Sequence, residues 1–483
     1  MPSLSKSKFL AGWQCPKKLW LDVHEPDLAE PTSAAQQRRF DQGIKVGEIA
    51  RRYFPGGVLI DADHLHIPDA LVQTHEALMN HVDVVFEGAF DFDSVVVRPD
   101  VMRRNGGGWE LIEVKSSAKV KDEHIPDVAI QHYVLNGAGL TIVRDYLMHI
   151  NNQCVYPDLS NLFTIEDVTK HVSAQLPSMA TQVAEFRQLL ELTEAPSVKI
   201  GKQCTNPFDC PFVVHCWDWV PENSIYTVPR LTWTKKDQLS NNGVVKVVDL
   251  PTGYRLTAAQ EKYVDSVVKE EPTIHWPDIR DTLSELNYPI HFLDFETDAP
   301  AIPRFDGMRP YEKYPFQFSC HILAENDNLR HKDYLHEEES DPRDTILHAL
   351  LDAIDQSGSV VVYHASFETG VLKSMVHWFP GSTQQIQSII DRIWDMELIF
   401  KDHYMDYRFG GSSSFKAVLP VLIPSMSYQD LFVHSGDDAQ AVWNNMIVLP
   451  GGEEKTRLIS NLKEYCGQDT LGMVEIYRVL KTH

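Results

Sequence analysis

Apolar and polar positions follow two periods along the chain. In "AAQQRRFDQGIKVGEIARRYF" (34–54) apolar residues return every three or four positions, which predicts an amphipathic helix. From Val82, "VDVVFEGAFDFDSVVVRPDVMRR" reads as strand-rich, "NGGG" (105–108) as a turn and "WELIEVKSS" as a short strand. "DVAIQHYVLNGAG" predicts a helix stopped by glycines, and residues 161–194 are expected to be helical. Residues 221–285 carry no clear chemistry and read as a bridge. From about 286 the order restarts, with strands "IHFLDFET", "FQFSCHIL" and "SVVVYHAS", a helix near 342–355, and helices to the end. Strands beside helices in both halves predict a mixed α/β fold.

At 483 residues the chain exceeds what one hydrophobic core supports, so two domains are expected, about 1–220 and 286–483. The hydrophobic and charged fractions, 43% and 23%, are those of a globular protein. No apolar run is long enough to span a bilayer, and "MPSLSKSKFLAGWQC" lacks the apolar core of a signal peptide. A cytoplasmic protein with no membrane partner is expected. The net charge of −24 predicts weak non-specific attraction to nucleic acid and confines such contacts to local basic grooves, or to centres where bound cations reverse the sign. Seven cysteines, an odd count, argue against a disulfide framework.

Asp294 and Glu296 stand two apart near the end of an apolar strand, so both project from one face. Like charges so close call for a cation. Glu368 follows the strand at Ser359–Tyr363, and Tyr465 and Asp469, four apart, share one face of a C-terminal helix. Four carboxylates from separate elements suit two divalent cations, which clamp the attacking and leaving oxygens of a phosphoryl displacement. "FLDFET" and "YCGQD", in that order with "HASFE" between, resemble the DEDDy exonucleases of the DnaQ-like, RNase H-fold superfamily. Here Glu368 stands where that family carries aspartate. The resemblance implies 3′–5′ exonuclease activity with Mg²⁺ or Mn²⁺ on Asp294, Glu296, Glu368 and Asp469, with Tyr465 orienting the water. His364 reads as structural, Lys416 as a solvated lysine, and "GGSSSFKAVLP" as a helix start with a serine cap.

In the N-terminal half Glu113 and Lys115 share a strand face, and Asp100 ends the preceding strand. Two acids and a lysine about one cation suit phosphodiester hydrolysis. "RPD…EVK" resembles the PD-(D/E)XK nucleases, and Gln131 falls on the helix where RecB-type members carry a catalytic glutamine. Their first-helix histidine ligand is Gly47 here, beside Glu48; Glu87 is an acid that could compensate, but it reads first as a strand-surface glutamate.

Cys204, Cys210 and Cys216 are spaced by six, with Cys15 far upstream. This suggests a soft metal site closed by a distant thiolate, with tetrahedral zinc as the runner-up. One early and three late cysteines around such a core resemble the iron–sulfur RecB-type nucleases, a group with AddB-type and CRISPR-adaptation members. The resemblance implies a [4Fe–4S] cluster on Cys15, Cys204, Cys210 and Cys216 that staples the ends of the first domain. Cys154, Cys320 and Cys466 read as buried small apolar residues.

The expected architecture is thus a restriction-endonuclease-like core with an iron–sulfur staple, joined to an RNase H-like exonuclease domain. The expected activity is hydrolysis of DNA, single-stranded or at ends. Two alternatives stay open: a non-catalytic iron–sulfur DNA-binding N-terminal half, and RNA as substrate.

Overall fold

Strand β4 (Gly108–Lys115) shows how the first half is organised. Its odd positions Trp109 and Leu111 join a core with Val128 and Ile130 of one helix, while Ile112 packs with Ala50 of another and with Phe54 just beyond its end. A strand buried on both faces needs helices on both sides, and the chain supplies them. A computed structural model describes residues 4–63, 65–428 and 431–483. The fold is mixed α/β, and the chain divides into two compact units. The first comprises 1–32, 36–219 and 300–312, and the second 33–35, 220–299 and 313–483.

The first unit holds a six-stranded sheet in sequential order: β1 (Val58–Leu59), β2 (Val84–Phe86), β3 (Val101–Asn105), β4, β5 (Ile142–Ile150) and β6 (Phe163–Asp167). β3 and β4 pair antiparallel across the NGGG turn, and β4 and β5 pair parallel. The connection between β4 and β5 is helix α4 (His124–Gly137), whose end is marked by Gly137 and by Gly139 at φ +89°. The unit also holds helices α1 (Lys6–Gln14), α2 (Pro16–His24), α3 (Ala34–Arg51) and α5 (Thr169–Leu190), with a further helix over Ile67–Met79 and a small three-stranded sheet. The expected helix over 161–194 is corrected at its start. "FTIED" is an edge strand on β5, because β-branched and aromatic residues there find a free sheet edge before the helix begins.

In the second unit a five-stranded sheet runs β9-β8-β7-β10-β11, with β7 (Ile290–Asp298), β8 (Tyr314–Leu323), β9 (Leu329–Leu335), β10 (Val360–Val362) and β11 (Ile393–Asp395). β7 pairs antiparallel with β8 and parallel with β10. Neither β9 nor β11 was expected from the sequence. Leu293 and Phe295 of β7 pack with Ile346 and Leu347 of α6 (Arg343–Ala353) and with Val371 of α7 (Ala365–Trp378). Ile290 and Phe292, on the opposite face, pack with Met473 and Tyr477 of α8 (Glu453–Lys481). Asp294 and Glu296 continue that second face, so strand alternation turns them toward α8. The segment read as a bridge forms three helices, 233–241, 258–269 and 276–283, and a core of its own around Ile225, Leu239 and Tyr263. Among the described residues no helix is long and apolar enough to cross a membrane.

Candidate functional sites

The carboxylates of Asp294, Glu296 and Asp469 offer oxygens that all lie within 4.8 Å of one another. β7 supplies the first two and α8 the third, with Tyr465 one turn before it. Glu296 and Asp469 are buried, with 6% and 8% exposure. Burial and the nearby Asp469 charge push Asp294 well above the usual carboxylate range. Glu296 is likewise raised, by burial and then by Asp294 and Asp469. Burial pushes Asp469 up to about 6, against a hydrogen bond donated by Tyr428 and the charge of Lys416. Three crowded carboxyls, two buried and Asp294 half-buried, with little compensation fit a divalent cation, since hard cations take oxygen ligands.

Glu368 is buried on α7 outside this group of three. Its Oε2 has no hydrogen-bond partner, and burial, followed by Asp294, pushes it up to about 9. Lys416 is exposed, as expected of a solvated lysine, yet its ammonium has partners. Its Nζ donates to the Tyr465 hydroxyl at 3.2 Å and to the His434 carbonyl, and it lies over the rings of Tyr428 and Tyr465. The sequence reading missed Tyr428, which lies 41 residues from Asp469 and in no recognisable motif. Cys466 is fully buried as expected, but its thiol also sits 3.7 Å from Asp294 Oδ2. Ser414 occupies the N-cap of the 415–422 helix without a side-chain capping bond. His364 bonds Glu397 at 2.8 Å, in keeping with a structural part.

The first unit carries a different cluster. Asp100, Glu113, Lys115 and Asp127 line one open cleft of about 1210 Å³, with Glu87, Arg51 and Gly47 on its other walls. No atom lies within 4 Å of the position a Cβ on Gly47 would take. Asp100 accepts the Val114 backbone N–H at 2.6 Å, so the strand itself fixes this acid beside Glu113. Gln131 Nε2 donates to Glu113 Oε2 at 2.8 Å and to Asp127 Oδ1 at 3.1 Å. Lys115 Nζ donates to Glu113 Oε1 at 2.7 Å and to Asp127. A second lysine, Lys6 of α1, also donates to Glu113 Oε1 at 2.7 Å and lies 3.4 Å from Asp127. Burial alone would raise Glu113, but Lys115 and Lys6 hold it well below the usual range. Asp100 is instead raised by burial and by Glu113. Both oxygens of Glu113 are therefore engaged by protein cations or amide, and the pair Asp100–Glu113 does not fit a divalent ion as it stands. Asp127 was within reach of the sequence, since it lies one helical turn before Gln131. Lys6 was not, because nothing local ties it to a residue 107 positions away.

Cys15, Cys204, Cys210 and Cys216 all line one cavity, together with Lys17, Lys18 and Lys199. Cys15 sits between α1 and α2, and Gln14 beside it donates to the carbonyls of Gln203 and Phe208 at 2.8 and 2.6 Å. Trp20, Leu21 and Phe212 form a small core against Cys210 and Cys216. Burial pushes the Cys210 thiol up to about 11. Among the described residues no three thiols approach within 4.8 Å of one another. Tetrahedral zinc at a Zn–S length of about 2.3 Å needs sulfurs about 3.8 Å apart. The four thiol donors and the three neighbouring lysines fit an anionic thiolate metal centre in chemical type.

The sequence pattern of a family described as "Domain of unknown function (DUF2779)" matches residues 291–414. That stretch takes in Asp294, Glu296 and Glu368 but stops before Tyr465 and Asp469. No curated protein matches. A solved structure, described as "Crystal structure of SSO0001", is similar over 45% of this chain and 86% of that chain, at 14% identity and a TM-score of 0.23. A likeness that slight carries no argument for fold or function.

Proposed function

We propose that the chain is a metal-dependent nuclease whose second unit trims nucleic acid from the 3′ end, with DNA as the expected substrate. The observation that carries this reading is the group Asp294, Glu296 and Asp469, the first half-buried and the others buried, with oxygens within 4.8 Å and carboxyls raised by desolvation and mutual repulsion. Divalent cations held there would supply Lewis-acid polarisation of a phosphate and a more acidic bound water. The chain's own groups do the rest. Tyr428 holds Asp469 through its hydroxyl, and Lys416 holds the Tyr465 hydroxyl beside the acids. Tyr465 is then placed to orient a water, and Glu368 offers an unpartnered oxygen in the same neighbourhood.

The test is digestion of 5′-labelled single-stranded DNA and RNA of equal sequence with Mn²⁺ or Mg²⁺. Wild type should shorten the DNA stepwise from its 3′ end, and Asp294→Ala should lose at least about 100-fold of that rate. Unchanged trimming in Asp294→Ala overturns the assignment, and faster loss of the RNA moves the substrate to RNA.

For the first unit the same reading gives an iron–sulfur nuclease or end-binding module. The four cysteines on one cavity support a soft metal centre, with a [4Fe–4S] cluster as the expected occupant and zinc as the runner-up. Iron and acid-labile sulfide in anaerobically purified protein would support it, and zinc without iron would replace it.

A further inference from the structure

Lys6 is not a surface lysine that happens to reach an acid. It is the first residue of α1, and its side chain is only 26% exposed. One turn on, Phe9 is fully buried and meets Phe186 of α5 edge-on at 5.3 Å. Gly12 lies so close to Leu19 and Phe186 that a Cβ there would come within 2.8 Å of the Leu19 side chain. The far end is held by the two hydrogen bonds of Gln14. α1 is thus fixed at its start, middle and end, and it delivers the ammonium to Glu113 at 2.7 Å.

The charges at the site close on themselves. Lys6 and Lys115 both donate to Glu113 Oε1, both face Asp127, and Gln131 takes Glu113 Oε2. Two ammonium groups thereby neutralise two carboxylates in a closed ring, where a divalent ion would otherwise sit between Glu113 and Asp100.

We propose that Lys6 is a tethered cation that competes with a divalent metal for Glu113, so that the N-terminal site takes metal only when the Lys6 side chain is displaced. This rests on reading the N-terminal acids as a cation site. Lys6 is in this sense a positioning residue: it decides whether Glu113 is available. Lys115, on the same strand as Glu113, stays with the acids in either state.

The experiment uses the full chain carrying Asp294→Ala, which removes a ligand of the other acid group, and follows Mn²⁺ binding by electron paramagnetic resonance. Lys6→Met should bind Mn²⁺ at least about tenfold more tightly than the Lys6 parent, because a competing unit charge has gone. Adding Glu113→Gln should abolish the gain, and Lys6→Arg should bind as weakly as the parent. Equal affinity in Lys6→Met and Lys6→Arg, with binding that still depends on Glu113, overturns competition and leaves the metal site standing. No Glu113-dependent binding in any variant overturns the metal site and the competition together. A second measurement needs no change at Lys6. Amine labelling read by mass spectrometry should show Lys6 more reactive with Mn²⁺ than with EDTA, and equal labelling counts against displacement even where Lys6→Met does not fold.

Discussion

The two carboxylate sites start from the same local device and end in opposite states. In each, a strand places two charged residues at i and i+2 on one face, Glu113 with Lys115 and Asp294 with Glu296. In the first unit the strand brings its own lysine, α1 brings another, and the acids are neutralised by the chain. In the second unit the strand brings only acids, α8 adds one more, and the nearest ammonium, Lys416, is bound to a tyrosine hydroxyl and a carbonyl. An i, i+2 pair of charged residues on a buried strand therefore does not say whether a site holds a cation. The sign of the charges that other elements deliver decides it.

Opposite charge balance gives opposite responses to removing an acid. Glu113→Ala leaves two lysines beside one remaining partner and should cost about 3 kcal/mol or more, as breaking a buried ion pair does. Asp294→Asn, made without metal, relieves repulsion and should raise the melting temperature in EDTA. Thermal unfolding of both variants in EDTA is the check, and two shifts of the same sign would erase the distinction between the sites.

Tyr428→Phe removes the hydroxyl that donates to Asp469 and should weaken Mn²⁺ binding at the second site by about tenfold to 100-fold, the usual effect of losing a ligand's supporting partner. Calorimetric titration of the full chain measures it. The same substitution should leave the melting temperature in EDTA almost unchanged or slightly lower.

The smallest effect expected is a slope with pH. Glu368 and Asp469 have carboxyls raised in the folded chain, to about 9 and about 6. The folded state therefore holds more protons than the unfolded one between the ordinary carboxylate range and these values. Stability in EDTA should be greatest in mild acid and fall as pH rises, through about 6 for Asp469 and about 9 for Glu368. Saturating Mn²⁺ should flatten the Asp469 part of that fall. Glu113, held low by its lysines, should contribute in the other direction, its stabilisation being lost progressively as pH falls below the ordinary carboxylate range.

What the sequence revealed follows the range of each interaction. The period-2 runs located β4, β7 and β8, and the 3.6 period located α3 and α4, because both patterns are local. Asp294, Glu296 and Asp469 came from strand and helix faces, and their convergence needed only that the apolar partners Phe292 and Tyr477 meet. Residues 163–167 read as helix because edge pairing with β5 is a tertiary event. β9 escaped for a related reason: "LRHKDYL" is polar on one face and finds its order only against β8. Lys6, Tyr428 and the role of Lys416 were hidden because each depends on where a distant backbone lands. The cavity shared by Cys15 and the three late cysteines had a sequence cue, the count and order of thiols, though not its distances.

α1 joins two places that chemistry would treat separately. It is nine residues long, about 13 Å of helix, with Lys6 at its first position and Cys15 immediately after its last. A helix this short is stiff along its axis, so a shift of the cysteine end travels to the ammonium end with little loss. Thermodynamic linkage then runs both ways: whatever the thiol cavity gains by holding α1 in place is added to the cost of moving Lys6 off Glu113. A stretch of ten residues, Lys6 to Cys15, would in this way act as a lever with one arm at the sulfur and the other at the acid.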